Sequence, residues 1–168
     1  MNIMRTTAVV TTLALSGCAT AESKIVVDAT TQDHKCLAQA IYYEAGHEPT
    51  VGQYAVGHVV LNRTRSSQFP NKICDVVYQR HPRNKKCQFG WACRPNLTPP
   101  KGIAWERSQQ VATKILTETT PDVSRGALFF DQTHKIKNME KVVTIGNHTF
   151  WNPKQKKVAK QQENKNEK

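Results

Sequence analysis

One glutamate in this chain, Glu44, occupies a position that could support acid catalysis. In a helix, Leu37, Ile41 and Glu44 share one face, and the first two make that face apolar. Burial on such a face disfavours the charged form of a carboxylate and raises its pKa. A carboxylic acid that keeps its proton near neutral pH can protonate a leaving group. A structural ion pair with a buried arginine would explain the same position without catalysis.

The remaining sequence narrows the chemistry to that of an acid without a metal or a cofactor. There is no Gly-x-Ser-x-Gly segment or phosphate-binding loop, and the 6 histidines show no metal-binding spacing. An acid combined with aromatic rings and amides is the set that glycosidic bond cleavage uses. Water-dependent cleavage usually needs a second carboxylate, but Glu48 is expected to point to solvent, and Asp75 and Glu106 lie elsewhere in helices. The sequence therefore favours a mechanism with a single acid.

Helices and a small antiparallel sheet are predicted to position these groups. Asp33 can cap the first helix, Gly46 is a natural stop for it, and Asn71 can cap a short helix. The other helices are expected at about 50–64, where close packing on the first helix would explain Gly52 and Gly57, and at about 102–118. Strands are expected at 127–130, 142–145 and 148–151, the last two joined by a turn at 146–147. The predicted class is α+β, mostly helical.

The two ends of the chain differ from the middle in composition. Arg5 and a short apolar run are typical of an export signal, and Leu15-Ser16-Gly17-Cys18 resembles the bacterial lipoprotein signal. We therefore expect a signal peptide at 1–17 and a lipid on Cys18; an ordinary cleaved signal or a retained anchor are the alternatives. Residues 18–32 have the composition of a tether and 153–168 that of a disordered Lys-rich tail, which leaves a domain at 33–152. The predicted location is the periplasmic face of the cell envelope, with the lipid attached to a membrane surface.

The formal net charge of +11 favours an anionic partner. Part of this charge lies in the tail and part in the basic run at 80–86. An exported protein rarely meets nucleic acid, so the anionic envelope is the predicted partner and nucleic acid is not. The alternative is that the lysines only keep the surface solvated and bind no anionic partner.

The cysteines that follow Cys18 are even in number, which in an exported chain indicates disulfides. Cys87 and Cys93 would close a small loop, so the predicted pairs, out of three possible pairings, are Cys87–Cys93 and Cys36–Cys74. Zinc is the competing interpretation, but no cysteine pair has the short spacing of a structural zinc site. No metal site is predicted.

Blocks of sequence across residues 36–151 resemble the spore-cortex-lytic, SleB-type cell wall hydrolases. The most specific are Glu-Ala-x-x-Glu-Pro at 44–49 and Leu-Asn-Arg at 61–63, and others lie at 36–43, 52–53, 55–56, 69–71, 74–79, 87–89, 104–107 and 144–150. The resemblance implies a lysozyme-like fold and cleavage of peptidoglycan between N-acetylmuramic acid and N-acetylglucosamine. The family's catalytic acid corresponds to Glu44. The implied reaction is lytic transglycosylation, in which the 6-hydroxyl of muramic acid attacks C1 and gives a 1,6-anhydro product.

The resemblance also indicates which side chains line the cleft beside Glu44. The predicted substrate-binding residues are Tyr43, Gln88, Phe89, Trp91 and Phe130. Packing within the loop would explain Gln88, Phe89 and Trp91 equally well. The family usually has Tyr or His groups where this chain has Leu128-Phe129-Phe130, and a serine where it has Gly90. Because a hydroxyl is absent at Phe130, a non-catalytic peptidoglycan-binding lipoprotein that retains the fold is the alternative function.

Overall fold

The computed structural model describes residues 31–135 and 143–152. Its helices are α1 (Thr31–Ala45), α2 (Thr50–Thr64), α3 (Ile73–Val77) and α4 (Gly102–Leu116), and its strands are β1 (Phe129–Gln132), β2 (Val143–Ile145) and β3 (His148–Trp151). Short 3-10 turns lie at Gly90–Cys93 and Thr133–Lys135. The predicted α+β class with a small antiparallel sheet is confirmed. The predicted signal peptide, Cys18, most of the tether, Val142 and the Lys-rich tail lie outside the described residues.

Three predicted details at the helix ends are wrong. Helix α1 begins at Thr31, so Asp33 lies in its first turn and is not the cap. A carboxylate there still favours the helix, because it faces the positive end of the helix dipole. The residue that precedes α3 is Lys72, which makes no side-chain cap hydrogen bond, so Asn71 is not the cap either. Helix α4 ends at Leu116, two residues before the predicted end.

Gly46 does follow the end of α1, but for a reason other than a left-handed backbone. Its N–H donates a hydrogen bond of 3.0 Å to the carbonyl oxygen of Tyr42. A Cβ atom at position 46 would collide with that same oxygen. Glycine therefore allows the chain to close tightly over the last turn of α1, the turn that carries Glu44. Pro49 precedes α2, and its carbonyl oxygen accepts the N–H groups of Gly52 and Gln53 at 2.8 and 3.2 Å.

Helix α1 is the centre of the molecule and packs against the three other helices. A first apolar cluster joins its buried face to the rest of the bundle through Leu37, Ile41, Val60, Val77, Val111 and Ile115, among others. A second cluster lies beneath the sheet and contains Ala45, Val56, Val59, Ala127 and Phe150. Glu44 is therefore held on a helix that is fixed on several sides. None of the described helices is both long and apolar enough to cross a membrane.

The explanation predicted for the two glycines of α2 holds for one of them. A Cβ atom at Gly57 would collide with Ile115 of α4 and lie 3.1 Å from Ile41 of α1, so the glycine lets three helices meet closely. A Cβ atom at Gly52 would instead lie 3.1 Å from the Cβ atom of Glu48, which precedes the helix. The proposed packing of Gly52 against α1 is therefore wrong.

Both predicted disulfides are confirmed. Cys36–Cys74 joins α1 to α3, with a distance of 5.3 Å between the Cα atoms. Cys87–Cys93, with 5.8 Å between the Cα atoms, closes the loop around the 3-10 turn at Gly90–Cys93. The loop is also tied to the end of α3, because the N–H of Gln88 donates to the carbonyl oxygen of Gln79 at 2.8 Å. These bonds give the residues around Gln88 a fixed place beside α1.

The sheet has the strand order β1-β3-β2, and both pairs are antiparallel. The predicted hairpin and its turn at 146–147 are present, with Gly146 at φ +58°. Strand β1 begins two residues later than predicted and ends at Gln132, which is paired with His148. This shift brings Asp131 and Gln132 into the sheet beside the end of α1.

Candidate active site

Glu44 lies between two pockets. The larger, of about 770 Å³, is bounded by the last turn of α1, the 3-10 turn after β1 and the β2–β3 turn. The smaller, of about 390 Å³, is bounded by β1 and by the disulfide-closed loop. Tyr43, Glu44, Gln132 and His148 line both pockets. A chain of sugars that passed from one pocket to the other would cross the Glu44 carboxyl.

The protonated form of Glu44 is favoured by its surroundings. Burial raises the pKa of its carboxyl above the ordinary value of a glutamic acid, and the charge of Asp131 raises it further. The indole N–H of Trp91 and the charges of Arg63 and Arg94 oppose these effects without cancelling them. Trp91 faces the carboxyl from a buried position, although the contact falls short of full hydrogen-bond geometry. Glu44 therefore keeps its proton to a higher pH than an exposed glutamate.

Arg63 is a buried arginine whose charge acts on the Glu44 carboxyl, but its contacts are with other groups. Arg63 is 2% exposed, and its Nε donates a hydrogen bond of 2.9 Å to the carbonyl oxygen of Leu128. Its guanidinium lies 5.1 to 5.8 Å from the ring centres of Phe69, Phe89 and Phe129. Burial lowers the pKa of this group to about 10, and Glu44 partly offsets the shift. Within the described part of the chain, no hydrogen bond or ion pair joins the two residues, which disfavours the structural ion pair.

The predicted cleft residues all lie near Glu44, but not all reach the pockets. Gln88, Phe89 and Phe130 line the smaller pocket, and Tyr43 lines both. Trp91 is 5% exposed and lines neither; it packs behind Glu44, with its ring centre 4.5 Å from that of Tyr43. The Tyr43 hydroxyl donates a hydrogen bond of 2.8 Å to the carbonyl oxygen of Thr98. Trp91 is thus placed to support the floor of the cleft. Phe89, which is 3% exposed and packs against Arg63, is placed to do the same, whereas Tyr43, Gln88 and Phe130 are placed to meet a ligand.

Glu48 does not point to solvent as expected. It is 9% exposed, and its two carboxylate oxygens accept the backbone N–H of Asn147 at 3.1 Å and the Asn147 Nδ2 at 2.9 Å. A Cβ atom at Gly146 would collide with the same carboxylate, which explains the glycine at that turn position. Glu48 therefore fixes the β2–β3 turn against the start of α2, and both of its oxygens are engaged in doing so.

The sequence interpretation missed two groups of the cleft, Asp131 and His148. Asp131 lines the smaller pocket, and its Oδ1 accepts the Gln132 N–H at 2.7 Å and the Lys135 Nζ at 3.1 Å. Burial acts to raise the pKa of Asp131, but these two donors and the charges of Lys135 and His134 outweigh it and hold the pKa below the ordinary range. Asp131 escaped notice because the predicted strand stopped at residue 130, one position short of it.

His148 contributes a neutral imidazole to both pockets. Burial lowers its pKa, against the opposing charges of Glu48 and Asp131. Its Nδ1 lies 3.9 Å from Glu48 Oε1 and has no hydrogen-bond partner in the described part of the structure. The predicted block at 144–150 contained this residue, but only the pairing of β3 with β1 brings it beside Glu44. Across residues 31–135 and 143–152, no group of three His, Cys, Asp or Glu side chains is arranged for a metal ion.

The fold is shared with two solved catalytic domains. The catalytic domain of the SleB protein of Bacillus cereus superposes with a TM-score of 0.57 at 24% identity, over 73% of this chain and 91% of that one. The catalytic domain of the germination-specific lytic transglycosylase SleB from Bacillus anthracis gives a TM-score of 0.56 at 24% identity, over 74% of this chain and 98% of that one. This likeness confirms the lysozyme-like architecture predicted from the sequence.

Two sequence relatives of this chain are spore cortex-lytic enzymes. The spore cortex-lytic enzyme of Bacillus subtilis (strain 168) is 47% identical over 47 residues, which are 28% of this chain and 15% of that enzyme. The spore cortex-lytic enzyme of Bacillus cereus is 43% identical over 71 residues, which are 42% of this chain and 27% of that enzyme. The chain thus spans less than a third of the length of these relatives.

The model of the family described as Cell Wall Hydrolase matches residues 47–151, which is more than half of the chain. The matched region contains β1, the β2–β3 turn and the disulfide-closed loop, and it begins just after Glu44. The predicted resemblance is confirmed, and the chain belongs to the cell wall hydrolase family.

Proposed function

We propose that this protein cleaves the glycan strand of peptidoglycan between N-acetylmuramic acid and N-acetylglucosamine, with Glu44 as the general acid and base. The observation that carries the proposal is a carboxyl with a raised pKa at the junction of two pockets. Membership of the cell wall hydrolase family supports the substrate. The lytic transglycosylase named among the structural neighbours supports the reaction class.

The reaction uses the two protonation states of Glu44 in turn. The acid gives its proton to the glycosidic oxygen, and the bond between that oxygen and C1 of N-acetylmuramic acid breaks. The 6-hydroxyl of the same sugar then attacks C1 and passes its proton to the Glu44 carboxylate. The products are a 1,6-anhydro end and a free 4-hydroxyl, and the acid is restored without a catalytic water.

The pockets supply groups suited to bind the sugars on either side of the bond. The ring faces of Tyr43 and Phe130, which are both partly exposed, can pack on the apolar faces of pyranose rings. The amides of Gln88, Gln132 and Asn147 can bond to hydroxyl and acetamido groups. Phe130 cannot supply the hydroxyl that the family usually has in this strand, so binding in the smaller pocket depends on its neighbours.

The variant Glu44→Gln tests the proposal, because it keeps the size of the side chain and removes the proton donor. We expect the release of soluble fragments from purified sacculi to fall by about 10² to 10⁴-fold, as for the loss of a general acid. Glu106→Gln makes the same chemical change at an exposed position of α4 and serves as the matched control. A folded Glu44→Gln protein that works at the wild-type rate would refute the role of Glu44. Sacculus binding by the wild type without fragment release would favour the non-catalytic alternative.

Mass spectrometry of the released muropeptides tests the reaction type. Lytic transglycosylation leaves ends that are lighter by one water than the reducing ends produced by hydrolysis. A product mixture that contains only reducing ends would show that water, and not the 6-hydroxyl, is the nucleophile.

Membership of the cell wall hydrolase family implies an extracytoplasmic location. We propose further that a lipid on Cys18 attaches the protein to a membrane surface, as the sequence Leu15-Ser16-Gly17-Cys18 suggests. Metabolic labelling with radioactive palmitate in a bacterial host should mark the wild type and not Cys18→Ser. Equal label in both proteins would contradict the lipid site.

A further inference from the structure

The smaller pocket holds a second carboxylate for which the single-acid mechanism has no use. Asp131 lies on β1 and Glu44 on the last turn of α1, and both line this pocket. The charge of Asp131 acts on the Glu44 carboxyl and on the His148 imidazole, so the three groups face a common space. A sugar bound in the pocket would therefore contact an acid and a second carboxylate.

The hydrogen bonds of Asp131 leave one of its oxygens available. Both donors, the Gln132 N–H at 2.7 Å and the Lys135 Nζ at 3.1 Å, bond to Oδ1. Oδ2 accepts no hydrogen bond from the described residues. This contrasts with Glu48, whose two oxygens are both occupied by Asn147. The side chain of Asp131 is thus fixed through one oxygen and presents the other.

A free carboxylate oxygen in this position has a chemical use. When the glycosidic bond breaks, positive charge develops on C1 and on the ring oxygen of the sugar. A fixed anion beside C1 stabilises such a charge because it is already oriented and need not reorganise during the reaction. We propose that Asp131 is the second catalytic carboxylate of this site and stabilises the positive charge at C1 while Glu44 protonates the leaving oxygen. This inference rests on the proposed function.

The step requires no additional reactant. The proton of Glu44 moves to the glycosidic oxygen, the electrons of the bond to C1 stay with that oxygen, and the charged C1 faces Asp131 Oδ2. The 6-hydroxyl then bonds to C1, and its proton returns to Glu44. Asp131 forms no covalent bond and accepts no proton, so its loss slows the reaction without changing the product.

The protonation states of the two carboxyls suit these roles. Burial and the charge of Asp131 raise the pKa of Glu44. The indole N–H of Trp91 and the charges of Arg63 on α2 and Arg94 in the loop act to lower it. Asp131 faces Lys135 and His134 from the 3-10 turn, His148 from β3 and Glu44 from α1. Activity should fall at low pH as Asp131 gains a proton and at high pH as Glu44 loses one. Environments that separate the pKa values of two carboxyls in this way are typical of sites in which one carboxyl acts as the acid and the other as the anion.

The experiment compares Asp131→Asn with Asp75→Asn in the full chain, with purified sacculi as substrate. Asp75 is an exposed carboxylate on α3, so its variant makes the same charge change away from the cleft. For Asp131→Asn we expect a fall in kcat of about 10² to 10³-fold, which is the usual effect of losing one electrostatic stabiliser. The KM should stay within about threefold, the anhydro fraction of the products should not change, and the acid limb of the pH profile should disappear.

A second variant keeps the inference falsifiable if Asp131→Asn fails to fold. Lys135→Gln removes a donor and a positive charge from Asp131, so the pKa of Asp131 rises and the acid limb moves to higher pH. An acid limb that stays in place would overturn the inference. So would an Asp131→Asn rate within about threefold of the wild type, or a fall in its anhydro fraction at an undiminished rate.

The Glu44→Gln variant separates the two proposals. If Glu44→Gln is inactive while Asp131→Asn retains wild-type activity, the role of Asp131 is wrong and the proposed function stands. If Glu44→Gln is itself active, the proposed function fails first, whatever Asp131 does.

Discussion

The two glutamates at 44 and 48 should respond in opposite ways to the same substitution. They are one helical turn apart in the sequence and carry the same group, but one is proposed to do chemistry and the other fixes a turn. We predict that Glu48→Gln lowers the free energy of unfolding at neutral pH and that Glu44→Gln does not. The contrast tests whether the hydrogen bonds have been assigned their correct roles.

The expected loss follows from the contacts of Glu48. Its carboxylate accepts two hydrogen bonds from Asn147, and the residue is 9% exposed. In Glu48→Gln one of the two acceptors becomes an NH₂ group that faces a donor, so at least one charged hydrogen bond is lost. Such a bond contributes about 1.5–3 kcal/mol, and an unmade bond to a buried donor costs a similar amount. For a domain of this size that corresponds to a fall of roughly 10 °C in Tm.

For Glu44→Gln the expected change in the free energy of unfolding has the opposite sign. A carboxyl whose pKa is raised by folding destabilises the native state increasingly as the pH rises above the ordinary pKa of the group, because the charged form is disfavoured in the fold; the cost is complete above the raised pKa. At neutral pH a glutamine removes this cost and leaves no broken ion pair behind. Glu44→Gln should therefore be as stable as the wild type or more stable.

Urea unfolding followed by tryptophan fluorescence measures both changes. The midpoint for Glu48→Gln should fall without a change in the slope m, which would show a loss of stability alone. Asn147→Ala, alone and combined with Glu48→Gln, should cost less in the double variant than the two single losses added together. An unchanged midpoint for Glu48→Gln would refute the idea that Glu48 fixes the turn. A larger loss in Glu44→Gln than in Glu48→Gln would reverse the two roles.

Two further predictions concern the framework. Replacing Cys36 and Cys74 by alanine should cost about 4 kcal/mol, and replacing Cys87 and Cys93 about 2 kcal/mol, because the closed loops differ in length; equal losses in urea unfolding would count against this entropic account. Gly57→Ala should cost about 1–3 kcal/mol by overpacking against Ile115. Adding Ile115→Val, which removes the colliding Cδ1, should recover part of that loss, and no recovery would exclude this contact as the cause.

The features that the sequence predicted correctly depend on signals from neighbouring residues or on the even number of cysteines. Helix α2 has the predicted ends, Thr50 and Thr64, because Pro49 and the apolar period are local signals. The disulfides followed from an even number of cysteines in a chain with a predicted export signal and from the short interval between Cys87 and Cys93. The burial of Glu44 followed from the period of α1, and its catalytic role is a proposal. None of these required knowledge of a distant contact.

The features that were missed depend on contacts between distant parts of the chain. Local propensity placed the first strand at 127–130, but the pairing of Phe130 with Phe150 and of Gln132 with His148 extends it to Gln132. Asp131 was hidden by that difference of two residues. The burial of Glu48 was missed because its partner, Asn147, is 99 residues away in the sequence. Nothing within α1 or α2 could have indicated it.

The three carboxyl groups around the cleft differ in the hydrogen-bond donors that surround them, and their roles differ accordingly. Glu48 is buried and accepts donors at both oxygens, so its hydrogen bonds give it a structural role. Asp131 accepts donors at one oxygen, which favours its ionised form, and its other oxygen has no donor among residues 31–135 and 143–152, as the proposed role requires. Burial raises the pKa of Glu44, and Trp91 is an imperfect donor to its carboxyl, so Glu44 is the carboxyl that suits the proposed role of acid. The hydrogen-bond donors around each carboxylate thus decide its role. A variant that removes a donor, such as Lys135→Gln, should shift the pH dependence of activity and leave the cleaved bond unchanged.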